Sequence, residues 1–167
     1  PTIEDFFESM DHAAVDRLDL HRYMGTWYEI ARFDHRFERG LSEVTATYTL
    51  MPDGTVRVEN RGCKHKKPYD VCKTAEGRAK IPDPSQPGKL KVSFFLSFYS
   101  DYYVLELDQD EYNYALIGSS SDKYLWILSR APILPEEIKK KLLDAATRRG
   151  YDVKKLIWVE QREKKIM

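Results

Sequence analysis

Apolar and polar side chains alternate along most of the chain from residue 25 onward. Between Glu43 and Leu50, one face carries valine, alanine, tyrosine and leucine, and the other carries glutamate and threonines. The same two-residue period returns in residues 55–61 and 73–81. Because successive side chains of a strand point to opposite faces of its sheet, this period predicts strands with one buried face.

Turn signals such as Met51-Pro52-Asp53-Gly54 and Pro82-Asp83-Pro84 separate these segments at short, regular intervals. We predict eight strands, in residues 27–33, 43–50, 55–61, 73–81, 89–94, 103–107, 112–119 and 124–129. Short hairpins throughout favour an all-β, eight-stranded antiparallel up-and-down β-barrel over a sandwich, since a closed barrel has no exposed strand edges.

One helical segment follows the eighth strand. Pro135 suits a first helical position, Glu136 and Glu137 complement the positive end of the helix dipole, and Gly150 favours a stop. We therefore predict a C-terminal helix at 135–149, packed outside the barrel, and a short ninth strand at 155–160. The predicted divisions are an N-terminal leader or tether at 1–19, a barrel domain at 20–162 and a tail at 163–167.

Composition and charge narrow the possible functions. The 167 residues fit one domain, and 27 basic and 27 acidic residues give zero formal charge. A general nucleic-acid binder needs a basic face, so this balance argues against one. The longest uncharged run, Tyr112 to Ser121, is half the length of about 20 residues that a membrane-spanning helix requires.

The expected barrel interior mixes aromatic and small side chains. Aromatic residues make up 13% of the chain, and Ala46, Ala75, Gly77 and Ala79 fall on faces predicted to point inward. An eight-stranded barrel is wide enough to hold one small ligand. Small inward residues leave a void rather than a filled core, so the pattern indicates a container.

Three short motifs resemble those of the lipocalin family. Gly25-Thr26-Trp27 opens the first strand, Asp110-Glu111-Tyr112 precedes the seventh where lipocalins carry Thr-Asp-Tyr, and Arg130 ends the eighth. The segments Gly25–Gly40, Leu90–Phe95 and Tyr124–Arg130 are more specifically similar to bacterial outer-membrane lipocalins, which are related to apolipoprotein D. The resemblance covers residues 18–160.

This resemblance implies a lipid-binding lipoprotein of the bacterial cell envelope, on the periplasmic face of the outer membrane. Members carry a lipidated N-terminal cysteine after a signal peptide, so residues 1–19 are expected to be a tether. The chain is then a soluble, processed or truncated form that has lost its peripheral membrane anchor. We expect a monomer or homodimer that needs no cofactor, no metal and no nucleic acid. The resemblance also places Arg130 over Trp27, beside Gly25, as a structural seal.

Ligand contacts are expected among inward residues near the open end. The strand pattern selects Tyr48, Val56, Val58, Phe94, Tyr103 and Leu105, and counting back from Arg130 adds Tyr124 and Trp126. The loop after the first strand supplies Phe33 and Phe37 to close on an acyl chain, and His35, Arg36 and Arg39 to meet a head group. The competing interpretation is an ordinary basic loop over a barrel that these side chains simply fill.

Cys63 and Cys72 fall on the outward faces of adjacent predicted strands, which permits a disulfide. If they pair directly, Arg57 lies opposite Arg78, which is unfavourable. A shift of two residues removes that repulsion but leaves the cysteines diagonal and too far apart. A bulge would reconcile the two requirements.

The leading hypothesis is a carrier without covalent chemistry that takes up a fatty acid or lysophospholipid, for lipid transport, storage or envelope maintenance. The alternative is a lipocalin-fold enzyme acting on a lipid or isoprenoid substrate. It requires an acid and base inside the barrel, and Glu29 with a tyrosine is the only candidate pair. Glu29 shares the face of Trp27, so it needs a hydrogen-bond partner or a bulge that turns it outward. A third hypothesis is a surface module whose barrel is filled. Haem ligation by His35 is disfavoured, because no second ligand accompanies it.

Overall fold

The computed structural model describes residues 10–95 and 98–162, apart from the side chains of Phe95 and Phe98. The predicted tail, 163–167, and residues 1–9 of the predicted leader lie outside the described residues. The strands of the described chain are β1 Gly25–Phe33, β2 Ser42–Leu50, β3 Val56–Lys64, β4 Val71–Lys80, β5 Lys89–Phe95, β6 Phe98–Leu107, β7 Tyr114–Gly118, β8 Trp126–Ser129 and β9 Leu156–Trp158. The helices are α1 Leu20–Tyr23, α2 Glu136–Arg148 and a 3₁₀ turn at Val153–Lys155.

The first eight strands form the closed antiparallel barrel that the alternation predicts. Each strand from β2 to β7 pairs with the next along the chain, β8 pairs with β1, and β1 pairs with β2 to close the cylinder. The ninth strand is the expected addition, and it lies against β1 outside the ring. Local hairpins provide almost all of this pairing, which explains why a period-two pattern with turn signals was sufficient to predict the fold.

β1 changes partner halfway along its length. Its first residues, Gly25–Tyr28, pair with β2, whereas Ala31–Phe33 pair with β9. The side-chain amide of Gln161 spans the gap between β1 and β2 by donating to the carbonyls of Glu29 and Val44, at 2.8 and 2.9 Å. The C-terminal segment therefore completes the barrel wall where β1 and β2 separate.

Two apolar clusters lie on opposite sides of this wall. The inner cluster fills the lower barrel and includes Trp27, Tyr48, Val58, Val104 and Ile117. The outer cluster lies between the wall and α2, where Leu142 and Ala146 of the helix pack with wall residues such as Leu116, Leu125 and Ile127. β7 and β8 are therefore apolar on both faces, unlike the half-polar strands β2 to β4.

Tyr103 and Leu105, predicted to point into the barrel, and Phe33, predicted to close on an acyl chain from the loop over the mouth, all point out of the barrel. Phe33, Tyr103 and Leu105 all belong to the outer cluster beneath α2. Bulges cause this error, because register shifts between Glu29 and Ala31 in β1 and between Val104 and Glu106 in β6 reverse the alternation. The inward residues of β6 are Tyr102, Val104 and Leu107 instead.

The described part of the predicted leader packs on the body. The backbone N–H of Val15 donates to the Val104 carbonyl at 2.9 Å, and Asp11 donates to the Arg149 carbonyl at 3.0 Å. Asp19 caps α1 by accepting from the backbone of His21 and Arg22. The described residues include no helix of the length and apolarity that crossing a membrane requires.

Cys63 and Cys72 form a disulfide across directly paired positions of β3 and β4. This register does set Arg57 opposite Arg78. The repulsion is relieved on the diagonal, because the Arg57 guanidinium binds both carboxylate oxygens of Glu76 at 2.8 and 3.2 Å. The register between these two strands is unbroken, so the expected bulge is absent from them. The diagonal ion pair, rather than a bulge, makes the disulfide compatible with Arg57 opposite Arg78.

Candidate functional site

The lower end of the barrel is sealed by an arginine over a tryptophan. The Arg130 guanidinium carbon lies 3.9 Å from the centroid of the Trp27 ring. Arg130 also donates to the carbonyls of Arg22, Thr26 and Tyr112, so α1 and the turn before β7 are tied to the same point. Gly25, with φ of 100°, leaves room for this guanidinium, since a Cβ there would lie 3.3 Å from it. The seal is structural.

Three tyrosines, two of them buried and Tyr102 partly buried, lie above the seal. The hydroxyl oxygen of Tyr102 is 2.6 Å from that of Tyr23 and 2.8 Å from that of Tyr48. Burial raises the pKa of all three well above the ordinary tyrosine value. Beside them is an apolar cavity of about 10 Å³, comparable to the space of a single water molecule. The lower half of the barrel is thus a packed floor.

The upper half is built differently from this floor, because few of the described residues of β5 pair with β4. β5 pairs with β4 only at Arg78, Ala79 and Lys80, so residues 71–77 of β4 have no partner on that side in the described chain. Ala75 lies on the same face of β4 as Gly77 and Ala79, and this face points into the barrel. Ala75 is nevertheless exposed to solvent. The inner face of β4 is therefore exposed to water at Ala75.

An aromatic wall faces this opening. Tyr124 and Trp126 are nearly parallel, with ring centroids 5.7 Å apart. The His35 ring lies edge-on to both, with centroids 5.7 Å from each. His35 therefore folds inward from the β1–β2 loop onto the end of β8, so it contributes an aromatic surface rather than a solvent-exposed cation.

Phe94 crosses the opening from β5. A Cβ added to Gly77 would lie 2.7 Å from the Phe94 ring, so the ring occupies the space that Gly77 leaves free inside the barrel. Phe94 is still about one-third exposed. Val56 and Val58 are inward as predicted from the alternation, but they lie deeper, among the packed residues of the floor.

The remaining loop residues are not brought together into one cationic site. Phe37 is exposed, and the Arg36 guanidinium carbon lies 4.9 Å from the centroid of its ring. Arg39 is paired with Asp34 at 3.1 Å. Of the three residues predicted to meet a head group, His35 is thus inside the barrel, Arg39 has a carboxylate partner, and Arg36 extends over an exposed ring.

Glu29 has an ionic partner inside the barrel. Arg32, which is buried and lies opposite the inward Trp126, donates to Glu29 Oε2 at 3.0 Å. The same guanidinium donates to the backbone carbonyls of Glu38 and Leu41, at 2.7 and 3.1 Å. Arg32 therefore fastens the β1–β2 loop to the barrel from within.

A second carboxylate shares this site. Glu38 Oε2 is 3.5 Å from Arg32 Nε, and Glu38 Oε1 is 3.5 Å from His35 Nε2. Burial, together with the neighbouring Glu38 charge, raises the pKa of Glu29 well above its ordinary range. The pKa of Glu38 is lowered, because hydrogen bonds with His35 and Glu29 favour its charged form and outweigh its burial. Of the two carboxyl groups, Glu29 is therefore the one that binds a proton more readily.

Sequence reasoning missed Arg32, Glu38 and Tyr102. The alternation of an unbroken strand places Arg32 on the outer face, so only knowledge of the bulge after Glu29 reveals it. The available signal was the carboxylate itself, since a buried Glu29 requires a cation, and Arg32 is the nearest one along the chain.

Another group of titratable side chains lies at the loop that joins β3 to β4. His65 Nδ1 is 2.9 Å from Asp70 Oδ1, and its Nε2 is 3.6 Å from Glu43 Oε2. These three residues have ligand atoms close enough to hold a metal ion. The Arg162 guanidinium lies among them, within 3.8 Å of Glu43 and 3.5 Å of Asp70. The cluster is consequently an ion-pair clamp between the C-terminal segment and the hairpin.

Comparison with known proteins agrees with this architecture. Residues 18–161 match the family described as lipocalin-like domain. The chain is 50% identical to the outer membrane lipoprotein Blc of Escherichia coli (strain K12) over 147 residues, which cover 88% of this chain and 81% of that protein. It is 34% identical to apolipoprotein D of Mus musculus over 154 residues, covering 87% and 78% of the two chains.

Solved structures show the same fold. Insecticyanin from the tobacco hornworm Manduca sexta superposes with a TM-score of 0.74 and 24% identity, covering 92% of this chain and 86% of that one. The similarity to a bacterial outer membrane lipoprotein confirms the envelope location expected from the sequence. Together with the closed barrel and the arginine seal, these matches show that the chain belongs to the lipocalin-like family.

Proposed function

We propose that this chain binds a small hydrophobic ligand in the upper half of its barrel. The observation that carries the proposal is the exposure of Ala75 on the inner face of β4. The rings of His35 and Trp126 stand opposite the hairpin, and the Phe94 ring lies against Gly77 of the hairpin itself, so an apolar chain placed here meets carbon on both sides. The packed tyrosine floor sets the depth to which such a chain can descend.

The favoured ligand is a fatty acid or a lysophospholipid. Transfer of each methylene from water to an apolar site contributes about 0.8 kcal/mol, so a long acyl chain supplies enough free energy for micromolar binding after association costs. The lower cavity of about 10 Å³ is too small for the tail. The tail is therefore expected in the upper opening, where it displaces water and turns the Phe94 ring aside.

The head group is expected at the rim, where water and cations are available. Arg36 is the suitable cation on the β1–β2 loop, because His35 is directed inward and Arg39 is paired with Asp34. A phosphate or carboxylate beside Arg36 would form a charge-assisted hydrogen bond. Such a ligand fits a carrier that moves, stores or maintains lipids on the periplasmic face of the outer membrane, as a monomer or homodimer.

Two neighbouring residues of β4 provide a matched test. Ala75 and Thr74 are both exposed, but Ala75 lies on the inner face and Thr74 on the outer face. Ala75→Trp should lower the affinity for a fatty acid, measured by displacement of a fluorescent analogue, at least tenfold, because the indole fills the opening. Thr74→Trp should change it less than twofold. Equal affinities for the two variants would remove the binding site from the upper barrel.

The buried carboxyl pair is the specific observation that favours the second candidate, an enzyme. Glu29, whose pKa is raised, lies beside Glu38, which in turn contacts His35, and acid–base catalysis uses such groups of titratable side chains. Against it, Glu29 and Arg32 are both almost fully buried, and the lower cavity is lined by other residues. Incubation with lipid epoxides or esters followed by mass spectrometry tests it. Turnover that Glu29→Gln abolishes would establish the enzyme and contradict the carrier.

A further inference from the structure

Large exposed apolar side chains gather around the open end of the barrel. Phe37 on the β1–β2 loop is 63% exposed and Tyr69 at the tip of the β3–β4 hairpin is 74% exposed. Val71, Phe94 and Tyr99 are also exposed, and they belong to the β3–β4 and β5–β6 hairpins at the same end. Rings in this position contact water in the isolated protein, which is unfavourable unless another surface covers them.

Basic side chains lie among these rings. Lys66 and Lys67 are exposed and immediately precede the Tyr69 turn, and Arg36 is stacked on Phe37. Two aspartates of the loops that carry these rings are neutralised within the protein, and exposed Asp122 of the β7–β8 loop is followed directly by Lys123. Asp34 is paired with Arg39, and Asp70 with His65 and Arg162.

The opposite end of the barrel has the opposite charge. The turns at 51–55, 81–88 and 108–113 contain only acidic charged residues, namely Asp53, Asp83, Asp108, Asp110 and Glu111. Asp19, Arg22 and Arg130 also lie at this end, and the acidic side chains there still outnumber the basic ones, so the open end is the more basic of the two. An anionic surface would attract the open end and repel the closed end.

We propose that the open rim is a docking surface for an anionic lipid bilayer. Aromatic side chains are favoured at the level of lipid head groups, and neighbouring lysines are attracted to anionic lipids. Phe37 and Tyr69 enter the interface, while Arg36, Lys66 and Lys67 contact the head groups. The opening beside Ala75 then faces the membrane, so an apolar molecule could pass between bilayer and barrel without crossing bulk water. The docking itself does not require that a ligand be bound.

The charged part of this surface is tested with vesicles and a charge-matched control. The full 167-residue chain is sedimented with vesicles of phosphatidylcholine alone or with 30% phosphatidylglycerol. Each basic residue near an anionic surface contributes a factor of about five to the partition coefficient, so Lys66→Glu with Lys67→Glu should lower binding at least tenfold. The control, Lys140→Glu with Arg148→Glu on the exposed face of α2, makes the same change in net charge and should retain binding. Equal losses in both pairs would overturn the proposal.

The aromatic part has its own matched pair. Phe37→Ser with Tyr69→Ser should reduce binding to the anionic vesicles at least tenfold, whereas Ile133→Ser, at a site that is 61% exposed but distant from the rim, should not. Light scattering on the same samples reports self-association. If the aromatic variants change the oligomeric state and leave vesicle binding intact, the rim is an interface between copies, and the bilayer proposal is wrong.

Fatty-acid displacement, measured on all of these variants in the absence of vesicles, separates this proposal from the proposed ligand function. The rim variants with lysine replaced should still take up the fatty acid. If the wild-type protein takes up the fatty acid but does not bind the anionic vesicles, the docking surface alone is overturned. If the wild-type protein binds the vesicles but does not take up the fatty acid, the proposed carrier function alone is contradicted.

Discussion

At the residue scale, the most unusual feature is the charge cluster inside an otherwise apolar barrel. Arg32 stands between Glu29 and Glu38 and also holds two loop carbonyls, so each of its terminal nitrogens has a partner. Removing one member of a buried ion pair typically costs about 3–5 kcal/mol, because an uncompensated charge remains. The cluster therefore anchors the loop whose residues form the aromatic wall.

The raised pKa of Glu29 predicts a distinct pH dependence. The folded protein binds this proton more tightly than the unfolded chain, so its contribution to stability is complete below the ordinary value of 4.5. That contribution is lost as the pH rises through the raised pKa. Gln at position 29 keeps an oxygen for Arg32 and an N–H for Glu38 at every pH. The free energy of unfolding of the wild type, minus that of Glu29→Gln, should therefore fall as the pH rises from 4 to 9.

Urea unfolding at several pH values measures this difference. Glu137→Gln on the exposed first turn of α2 is the control for loss of one negative charge. Parallel stability curves for the wild type and Glu29→Gln would show that Glu29 is ionised in the folded protein at all these pH values.

Much of this site was beyond prediction from single residues. A carboxylate on the face of Trp27 had to be compensated, and that requirement could be predicted from the sequence. Which cation compensates it depends on the bulge after Glu29, a local change of backbone that no side-chain pattern marks. Trp27, Arg130 and Gly25, by contrast, were assigned from motifs, and the structure brings all three together.

At the element scale, the β3–β4 hairpin is exposed to solvent and is held by several links to itself and to the C-terminal segment. Its upper part has no β5 partner among the described residues, and a two-stranded ribbon by itself is only marginally stable in water. The Cys63–Cys72 bond, the Arg57–Glu76 ion pair and the Arg162 clamp all act on this hairpin. We infer that these links hold the β3–β4 hairpin in the position in which it forms one side of the opening.

Removing the disulfide should therefore lower stability measurably. The bonded cysteines are 9 residues apart, and closing a loop of this size in the unfolded chain corresponds to about 2–3 kcal/mol. Cys63→Ser with Cys72→Ser should lose this amount in urea unfolding, and amide hydrogen exchange should accelerate in residues 60–75. The wild type in reducing agent should behave like the variant. A loss below about 0.5 kcal/mol would mean that the other links alone define the hairpin.

The positions of the strands could be predicted well from the sequence, whereas the side of the sheet to which each side chain points could be predicted less well. β2, β3 and β4 alternate cleanly, because one face is polar, and their inward residues were identified. β6 contains the consecutive apolar residues Tyr102, Tyr103, Val104 and Leu105, so its facing could be inferred only from the charged Glu106 and Asp108 that follow. The bulge before Glu106 makes that inference wrong, and it moved Tyr103 and Leu105 to the helix side.

At the scale of the whole molecule, the barrel is divided into a solid lower half and an open upper half. The seal at Trp27 and the linked tyrosines provide rigidity, and the exposed inner face of β4 provides access. The sequence pattern could indicate a container, because small residues alternate with aromatic ones. It could not give the depth of the opening, since that depends on which aromatic rings meet across the interior.

The most direct test of the central claim follows the indole signals of the three tryptophans by NMR. Trp27 lies in the seal, Trp126 in the aromatic wall, and Trp158 on the outer surface. Addition of a spin-labelled stearic acid should broaden the Trp126 indole resonance strongly and leave that of Trp158 unchanged, and excess unlabelled oleic acid should reverse the effect. Equal broadening of Trp126 and Trp158, or none at all, would contradict binding inside the upper barrel.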